Sequence, residues 1–388
     1  MKVSRRSQVP PFSVMQIIAQ ARERHAGGHP VINLCAGEPA AGASAVVRQE
    51  AARVLESGDL GYTQSLGVPQ LREALAAHYA RWYGVEVDPQ CVAITTGSSG
   101  GFVLAFLAAF DVGDRVAVAR PGYPAYRNIL VSLGIEVVEL PCGLGTRFQP
   151  TVAQLDEAHR RSPLAGVVIA SPANPTGTII DPLEFQAIVA WCASHGVRLV
   201  SDEIYHGVVF EESQPVVTAA GFRDMGAITV SSFSKYWAMT GWRIGWLVLP
   251  QDMVATADAL AGNVSLCPPA LSQFAAVAAL SEQGYAAAQV DVEMYRLSRE
   301  VVLDGCGRLG WSRVAPADGA FYLYADVSGS GLDSVTWCER LLVEADVAMT
   351  PGVDFDSEAG RDWIRLSFAN RPEVMREALE RVISWQNR

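Results

Sequence analysis

The chain has 388 residues, half of them hydrophobic and 18% charged, with a formal net charge of −11. This length and apolar content predict a sizeable core arranged as two domains, or as one large domain with an appendage. The acidic balance argues against nucleic acid or an anionic membrane surface as a main partner, so basic residues are read locally, as anion ligands or ion pairs.

The N-terminus, Met1-Lys-Val-Ser-Arg-Arg6, is basic. Pro10 and Pro11 follow, and no apolar run of signal length precedes the helix-like stretch 14–24. Apolar runs such as 102–110 are too short to span a bilayer. Seven cysteines, an odd number, form no CxxC pair and predict free, mostly buried thiols in a reducing cytosol. The six histidines are dispersed, none pairing with another at metal-ligand spacing, and no metal is expected. A cytoplasmic location follows as an expectation.

From about residue 90 to 250, short apolar runs alternate with helical patterns such as 183–194. The strand candidates are 92–95, 115–119, 136–140, 166–170, 198–201, 227–231 and 244–249. Near-continuous apolar runs of this length fit strands covered on both faces, so an α/β fold with a mostly parallel seven-stranded sheet sandwiched by helices is predicted. After residue 285 the pattern changes: a long helix over 285–315 leads into Trp311-Ser-Arg-Val314. Gly319-Ala-Phe-Tyr-Leu-Tyr324 and Trp363-Ile-Arg-Leu-Ser367 look like strands around a helical stretch at 334–344. A smaller α+β domain is expected from both termini, residues 1–40 with 285–388, beside a large domain of residues 41–284.

The polar surprises sit at the carboxyl ends of the predicted strands, the edge at which open parallel sheets bind ligands. Thr95-Thr-Gly-Ser-Ser-Gly-Gly101 joins a strand to an apolar helix, and is either an anion site of backbone N–H groups and hydroxyls or a tight turn. In Pro121-Gly-Tyr-Pro-Ala-Tyr126, Tyr123 either presents its face to a flat ring or packs as a core or lid residue. The Asn174 amide in Ser171-Pro-Ala-Asn-Pro-Thr-Gly177 can donate to a phenolate oxygen or cap a turn. In Ser201-Asp-Glu-Ile-Tyr205, Asp202 enters a buried strand end, which is costly unless it is paired, and it can pair with a protonated pyridine nitrogen. Tyr205 can then hydrogen-bond a phenolic oxygen; Glu203 is the competing carboxylate, or else makes an ion pair or a helix-edge contact, and His206 is assigned a structural or rim role.

Ser231-Ser-Phe-Ser-Lys-Tyr-Trp-Ala-Met-Thr-Gly-Trp-Arg243 places Lys235 just after a strand. Desolvation there lowers an amine's pKa and frees its lone pair for a carbonyl, while Ser232 and Arg243 are placed to hold an anion. Those parts suit pyridoxal phosphate, which needs an amine for its aldehyde and cations for its phosphate.

With these stretches the chain resembles the class I/II aminotransferases, the fold-type I pyridoxal phosphate enzymes typified by aspartate aminotransferase. Gly37-Glu-Pro39, Tyr62-Thr, Leu71-Arg72, Thr96-Gly97, Pro121 to Pro124, Asn174-Pro-Thr-Gly177, Asp202-Glu-Ile-Tyr205 and the lysine segment carry the likeness. Gly319-Ala-Phe-Tyr322 and Arg365-Leu-Ser-Phe368 extend it over nearly the whole chain. The resemblance implies a Schiff-base role for Lys235, with Asp202 at the pyridine nitrogen, Asn174 and Tyr205 at the phenolic oxygen, and Tyr123 stacked on the ring. It also implies phosphate contacts from Ser98, Ser99, Ser232 and Arg243, and from Tyr62 toward the partner subunit's cofactor in a homodimer with shared sites. Arg365, with Gly37 and Asn174, would hold the substrate carboxylate. The implied activity is ping-pong transamination between an amino acid and a 2-oxo acid. A β-lyase or another specialised pyridoxal phosphate reaction of the same fold is the alternative.

The chain departs from the family pattern at Ala40-Ala41, which replaces an acidic-aromatic pair, at Tyr236-Trp237 after the lysine, and at Asp354-Phe-Asp356. No arginine occurs in Gly262-Asn-Val-Ser-Leu-Cys-Pro268, where dicarboxylate-specific members place one. An acidic substrate side chain is therefore not expected, and Tyr236, Trp237 and the altered Ala40-Ala41 wall are where the identity of the substrate stays open.

Overall fold

The structure is a computed structural model that describes residues 1–11, 13–58, 60–210 and 215–388. Helix α1 (Ser13–Ala26) leads to the short strand β1 (Ile32–Asn33), then to α2 (Ala45–Ser57) and α3 (Pro69–Tyr83). Next come β2 (Val92–Thr95), α4 (Gly97–Ala109), β3 (Arg115–Arg120), α5 (Pro124–Leu133) and β4 (Glu136–Pro141). The alternation continues through α6 (Val152–Arg161), β5 (Gly166–Ala170), α7 (Pro182–His195), β6 (Arg198–Asp202), β7 (Ile228–Ser232) and β8 (Gly245–Val248). The final third holds α8 (Val254–Val264), α9 (Ala270–Ala279), α10 (Glu282–Gly305), β9 (Tyr322–Asp326) and α11 (Ser334–Ala345). It ends with β10 (Val347–Ala348), β11 (Thr350–Pro351), β12 (Trp363–Ser367) and α12 (Pro372–Gln386).

Local chemistry explains many of these boundaries. Helices α3, α5 and α7 each carry proline in the first turn, where its missing N–H has no intrahelical partner to lose. Each ends at a glycine in the left-handed region, Gly84, Gly134 and Gly196. Asp181 caps α7 by accepting from the N–H groups of Leu183 and Glu184.

The main sheet has seven strands in the order β2-β8-β7-β6-β5-β3-β4. The pairings among β3, β4, β5, β6 and β7 are parallel, and β8 runs antiparallel to both its neighbours. Apolar layers cover both faces, one built on Phe102, Phe106 and Leu130 from α4 and α5, the other on Leu155, Phe185 and Ile188 from α6 and α7. The mostly parallel, doubly covered α/β sheet read from the apolar runs is the one observed.

Strand direction positions the site. β2 and β3, and β5 to β7, deliver their carboxyl ends to one edge. Because β8 is reversed, its amino end arrives at the same edge, with Gly245 in register with both Thr95 and Ser232. Arg243, two residues earlier, therefore joins the turns that follow the parallel strands.

A second, antiparallel sheet has the order β11-β12-β9, and β1 pairs in parallel with β10. The Leu34 N–H donates to Ala348 O, and the Ser367 N–H donates to Leu34 O, so residues near the amino end are stitched to β10 and β12. Two boundaries differ from the sequence expectation. The long helix stops at Gly305 rather than near 315, and Gly307 and the left-handed Gly310 follow it. The strand expected from Gly319 starts at Tyr322, since Ala317 and Ala320 take positive φ values of 53° and 57° and make a turn. No helix among the described residues is long and apolar enough to cross a membrane.

Candidate active site

A cavity of about 310 Å³ opens at the carboxyl edge of the main sheet and is closed on its other side by Gly37, Tyr322, Phe355 and Arg365. Lys235 enters it from the tight turn after β7, in which the Ala238 N–H donates to Lys235 O and the Met239 N–H donates to Phe233 O. The Lys235 Nζ donates to Gly37 O at 2.5 Å. Burial first, and then the nearby Arg365 guanidinium, bring the amine down from 10.5 to about 8.

Asp202 ends β6 inside the same cavity. Its Oδ1 accepts from the Ile204 N–H at 3.1 Å and its Oδ2 accepts a short hydrogen bond from Tyr126 Oη. Burial raises its carboxyl to about 6, against the opposing pull of these donors. Tyr205 and Tyr322 share a hydrogen bond between hydroxyls at 2.6 Å. Burial pushes the Tyr205 phenol well above its ordinary value. Gly37 packs so closely here that a Cβ would lie 2.2 Å from Tyr322 Oη. Tyr123 lines the wall above Asp202 with its ring edge-on to Tyr126, 5.4 Å between centroids.

The amino end of α4 forms a second corner. Gly97 has φ of +65°, and a Cβ on it would meet the Arg243 guanidinium at 2.3 Å, so the arginine lies directly against the first turn. Thr96 makes no side-chain cap, and Ser98, Ser99 and Thr240 line the cavity beside it. A helix amino end with uncapped N–H groups, hydroxyls and a guanidinium can bind an anion.

Arg365 forms the third corner. Its Nη1 donates to Asn174 Oδ1 at 2.9 Å and its Nη2 to Cys35 O at 2.7 Å. Its guanidinium carbon lies 4.4 Å from the Tyr322 ring centroid and 4.8 Å from that of Phe355. The planar fork is thereby fixed in orientation between two rings, a geometry that can bind a carboxylate.

Most of the residues singled out in the sequence converge here: Gly37, Ser98, Ser99, Tyr123, Asn174, Asp202, Tyr205, Lys235, Arg243 and Arg365 all line the cavity. Ser232 does not; it is buried behind the wall, where its Oγ accepts from the Ser234 N–H, and Ser234 lines the cavity instead. Tyr62 lies elsewhere on the surface, 86% exposed in the single chain. Glu203 faces away from the cavity and is satisfied by Ser201 Oγ, Thr218 Oγ1 and the Ala219 N–H. His206 shares a hydrogen bond with Tyr83 Oη at 2.8 Å, and burial lowers its pKa to about 4. Among the described residues no cluster of three or more His, Cys, Asp or Glu is arranged to hold a metal ion.

The sequence matches the family model described as aminotransferase class I and II over residues 29–382. The chain belongs to the class I and II aminotransferases. A valine–pyruvate aminotransferase of Mycobacterium tuberculosis is 52% identical over 99% of this chain and 98% of its own length. An aspartate/prephenate aminotransferase of Thermus thermophilus is 34% identical over 98% and 97% of the two chains. A crystal structure of an aminotransferase from M. tuberculosis superposes with a TM-score of 0.97 at 51% identity, covering 100% of this chain and 99% of that one. This aminotransferase is accordingly a pyridoxal phosphate-dependent enzyme that moves the amino group of an amino acid to a 2-oxo acid, in two half-reactions.

The aminotransferase also recruits residues to which the sequence reading assigned no role. Tyr126, quoted with the Tyr123 motif, supports Asp202. Tyr322, quoted in the Gly319 motif, touches Gly37, Tyr205 and Arg365. Val14, Met15 and Ile18 of α1 form one side of the cavity; the helical period of 14–24 was legible, its docking partner was not. Tyr236 and Trp237, whose part the sequence left open, are both buried away from the cavity among Trp82, Phe233 and Tyr285. The tight turn aims Lys235 one way and its two neighbours into an aromatic core.

Proposed function

We propose that this aminotransferase uses a monocarboxylic amino acid with an aliphatic side chain, valine or a close homologue, as donor and a small 2-oxo acid such as pyruvate as acceptor. One observation carries the reading. The three cations of the cavity, Lys235, Arg243 and Arg365, are each engaged at a different corner, while the α1 side is formed by Val14, Met15 and Ile18. A second substrate carboxylate would find no cation there and would lose its hydration against apolar surface. The 52% identical relative named for valine and pyruvate supports the same choice.

The residues fit pyridoxal phosphate: an anion corner at Gly97, Ser98, Ser99 and Arg243, a buried carboxylate at Asp202 for a pyridine nitrogen, and an amine at Lys235. When bound, the cofactor supplies an electron sink for negative charge at the substrate α-carbon. Asp202 would hold the ring nitrogen in its protonated form, Asn174 and Tyr205 would hold the phenolic oxygen, and Tyr123 would pack on the ring. Lys235 would form the Schiff base, and its freed amine, brought to about 8, would move the proton at the α-carbon. Arg365, with Asn174 and the Gly37 backbone, orients the α-carboxylate. Ser232 contributes to the phosphate site from behind, through the turn it braces at Ser234.

The same reading includes a homodimer in which Tyr62 reaches the partner's phosphate site. It is supported by the exposure of Tyr62 together with Leu55, Leu60, Val264 and Leu266. It also includes a large domain of residues 41–284, a small domain of 1–40 with 285–388, and a cytoplasmic location, which seven unpaired cysteines support. Sedimentation of the holoenzyme as a monomer would remove the shared site.

The decisive experiment follows the cofactor absorbance of the purified holoenzyme with single amino acids, then adds pyruvate to restore it. Valine is expected to react faster than aspartate or glutamate. Faster reaction with either acidic amino acid would overturn the proposal.

A further inference from the structure

The cavity holds one charged side chain to which the chemistry above gives no task. Asp354 lines it on the side of α1, and its Oδ2 accepts from the Val14 N–H at 2.8 Å across 340 positions of sequence. The residue is buried, 8% exposed, in a helical turn of three residues, Gly352–Asp354.

That turn is rigid. Gly352 is packed so tightly that a Cβ would lie 2.5 Å from Gly360 O. The N–H groups of Phe355 and Asp356 both donate to Gly352 O, and the Gly122 N–H donates to Phe355 O from the Tyr123 loop. The Asp356 carboxylate accepts from the N–H groups of Glu358 and Ala359 and faces Arg120 Nε at 3.4 Å. Asp354 is therefore held from outside the cavity, and its next neighbour Phe355 lies on the Arg365 guanidinium.

We propose that Asp354 is a specificity-determining residue of this enzyme, acting in two ways. Its carboxylate latches the first turn of α1, and so seats Val14 and Ile18 as the apolar wall. The same carboxylate sets a fixed negative charge on the side-chain end of the cavity, where it repels a substrate that carries a second carboxylate. Discrimination of this kind rests on an element placed against the wrong substrate as much as on contacts to the right one. In a partly desolvated cavity a like charge a few ångströms away is only weakly screened. The inference rests on the preceding substrate reading for the position of the side chain, and it adds the group that enforces it.

Two variants separate the latch from the charge. Asp354→Asn keeps an oxygen to accept from the Val14 N–H and removes the charge. The ratio of kcat/KM for glutamate to that for valine is expected to rise at least about tenfold over the parent enzyme. Asp354→Ala removes both. Amide hydrogen exchange at Val14 to Ile18 is expected to accelerate at least about tenfold, and KM for valine to rise more than kcat falls. An unchanged glutamate-to-valine ratio in Asp354→Asn overturns the charge filter, and unchanged exchange in Asp354→Ala overturns the latch. Both readouts are comparisons with the parent, so they stand apart from the substrate reading itself, which fails if the parent enzyme prefers glutamate.

Discussion

Tyr126 Oη donates to Asp202 Oδ2 deep in the wall between β3 and β6, and both side chains are buried. Tyr126 stands in the first turn of α5, after β3, and Asp202 ends β6, and the hydroxyl leaves the other oxygen of the carboxylate to the Ile204 N–H. Asp202 is thus oriented before any ligand arrives, and its charged form is favoured against the cost of burial. A hydrogen bond to an ionised group contributes about 1.5–3 kcal/mol.

For Tyr126→Phe this predicts a Asp202 carboxyl that protonates more readily and holds a pyridine nitrogen less firmly. Cofactor affinity, measured by absorbance titration of the apoprotein, is expected to weaken about tenfold. The acid limb of the kcat/KM profile should move to higher pH. A variant with parental affinity and an unmoved profile would show that Tyr126 only packs.

Lys235→Ala is expected to abolish turnover while the anion corner and Asp202 still retain cofactor. Added methylamine should restore part of the proton transfer at the α-carbon, because a free amine can enter the space the side chain leaves. Turnover at the parental rate without added amine would remove Lys235 from its assigned role.

The same lysine predicts a pH-dependent stability of the apoprotein. Its folded-state pKa of about 8 lies below the ordinary 10.5, so the folded chain binds fewer protons than the unfolded chain between these values. Stability rises with pH through that window, and below pH 8 the full cost of charging a desolvated amine is present. Lys235→Met should therefore be more stable than the parent apoprotein at pH 7, by about 2–3 kcal/mol, and the gap should close as pH approaches 10.5. Urea unfolding of both apoproteins at several pH values measures it.

Arg365→Lys keeps the charge and loses the fork. An ammonium cannot reproduce donation to Asn174 Oδ1 and Cys35 O while also facing a carboxylate with two N–H groups. A loss of about 2–3 kcal/mol in kcat/KM, roughly 30- to 150-fold, is expected for every amino donor alike. A loss confined to one donor would instead assign Arg365 to the substrate side chain.

Tyr236 and Trp237 should affect stability and leave donor preference alone. Trp237→Ala opens a cavity among Trp82, Phe233 and Tyr285, at a cost of about 3–5 kcal/mol. Tyr236→Phe is expected to keep the parental order of donors in the cofactor absorbance assay. A changed order would return these residues to the substrate pocket.

The corners proposed for the cofactor were legible in the sequence because their signals are local. A strand ending in Asp202, a Gly97-Ser-Ser99 turn opening a helix, a proline-braced Asn174 and a lysine after a strand each announce themselves within a few residues. A parallel sheet then brings successive strand ends to one edge without further instruction. Arg243 joined them only because β8 runs backwards. That reversal is a property of strand pairing, and the apolar run at 244–249 reads the same in either direction.

What the tertiary structure alone decided is the side of the cavity proposed for the substrate. Periodicity located the helix at Val14 to Arg24 but carried no information about the turn 340 positions away whose Asp354 accepts from it. Nor does the order Lys235-Tyr236-Trp237 state which side chain faces the ligand. The left-handed Ala238, with φ of 52°, and the aromatic core beneath the turn make that choice. Loop composition and strand pattern determine chemistry that needs only neighbours in sequence. The surface that selects a substrate is assembled from distant segments, whose contacts follow from packing and leave no short pattern in the chain.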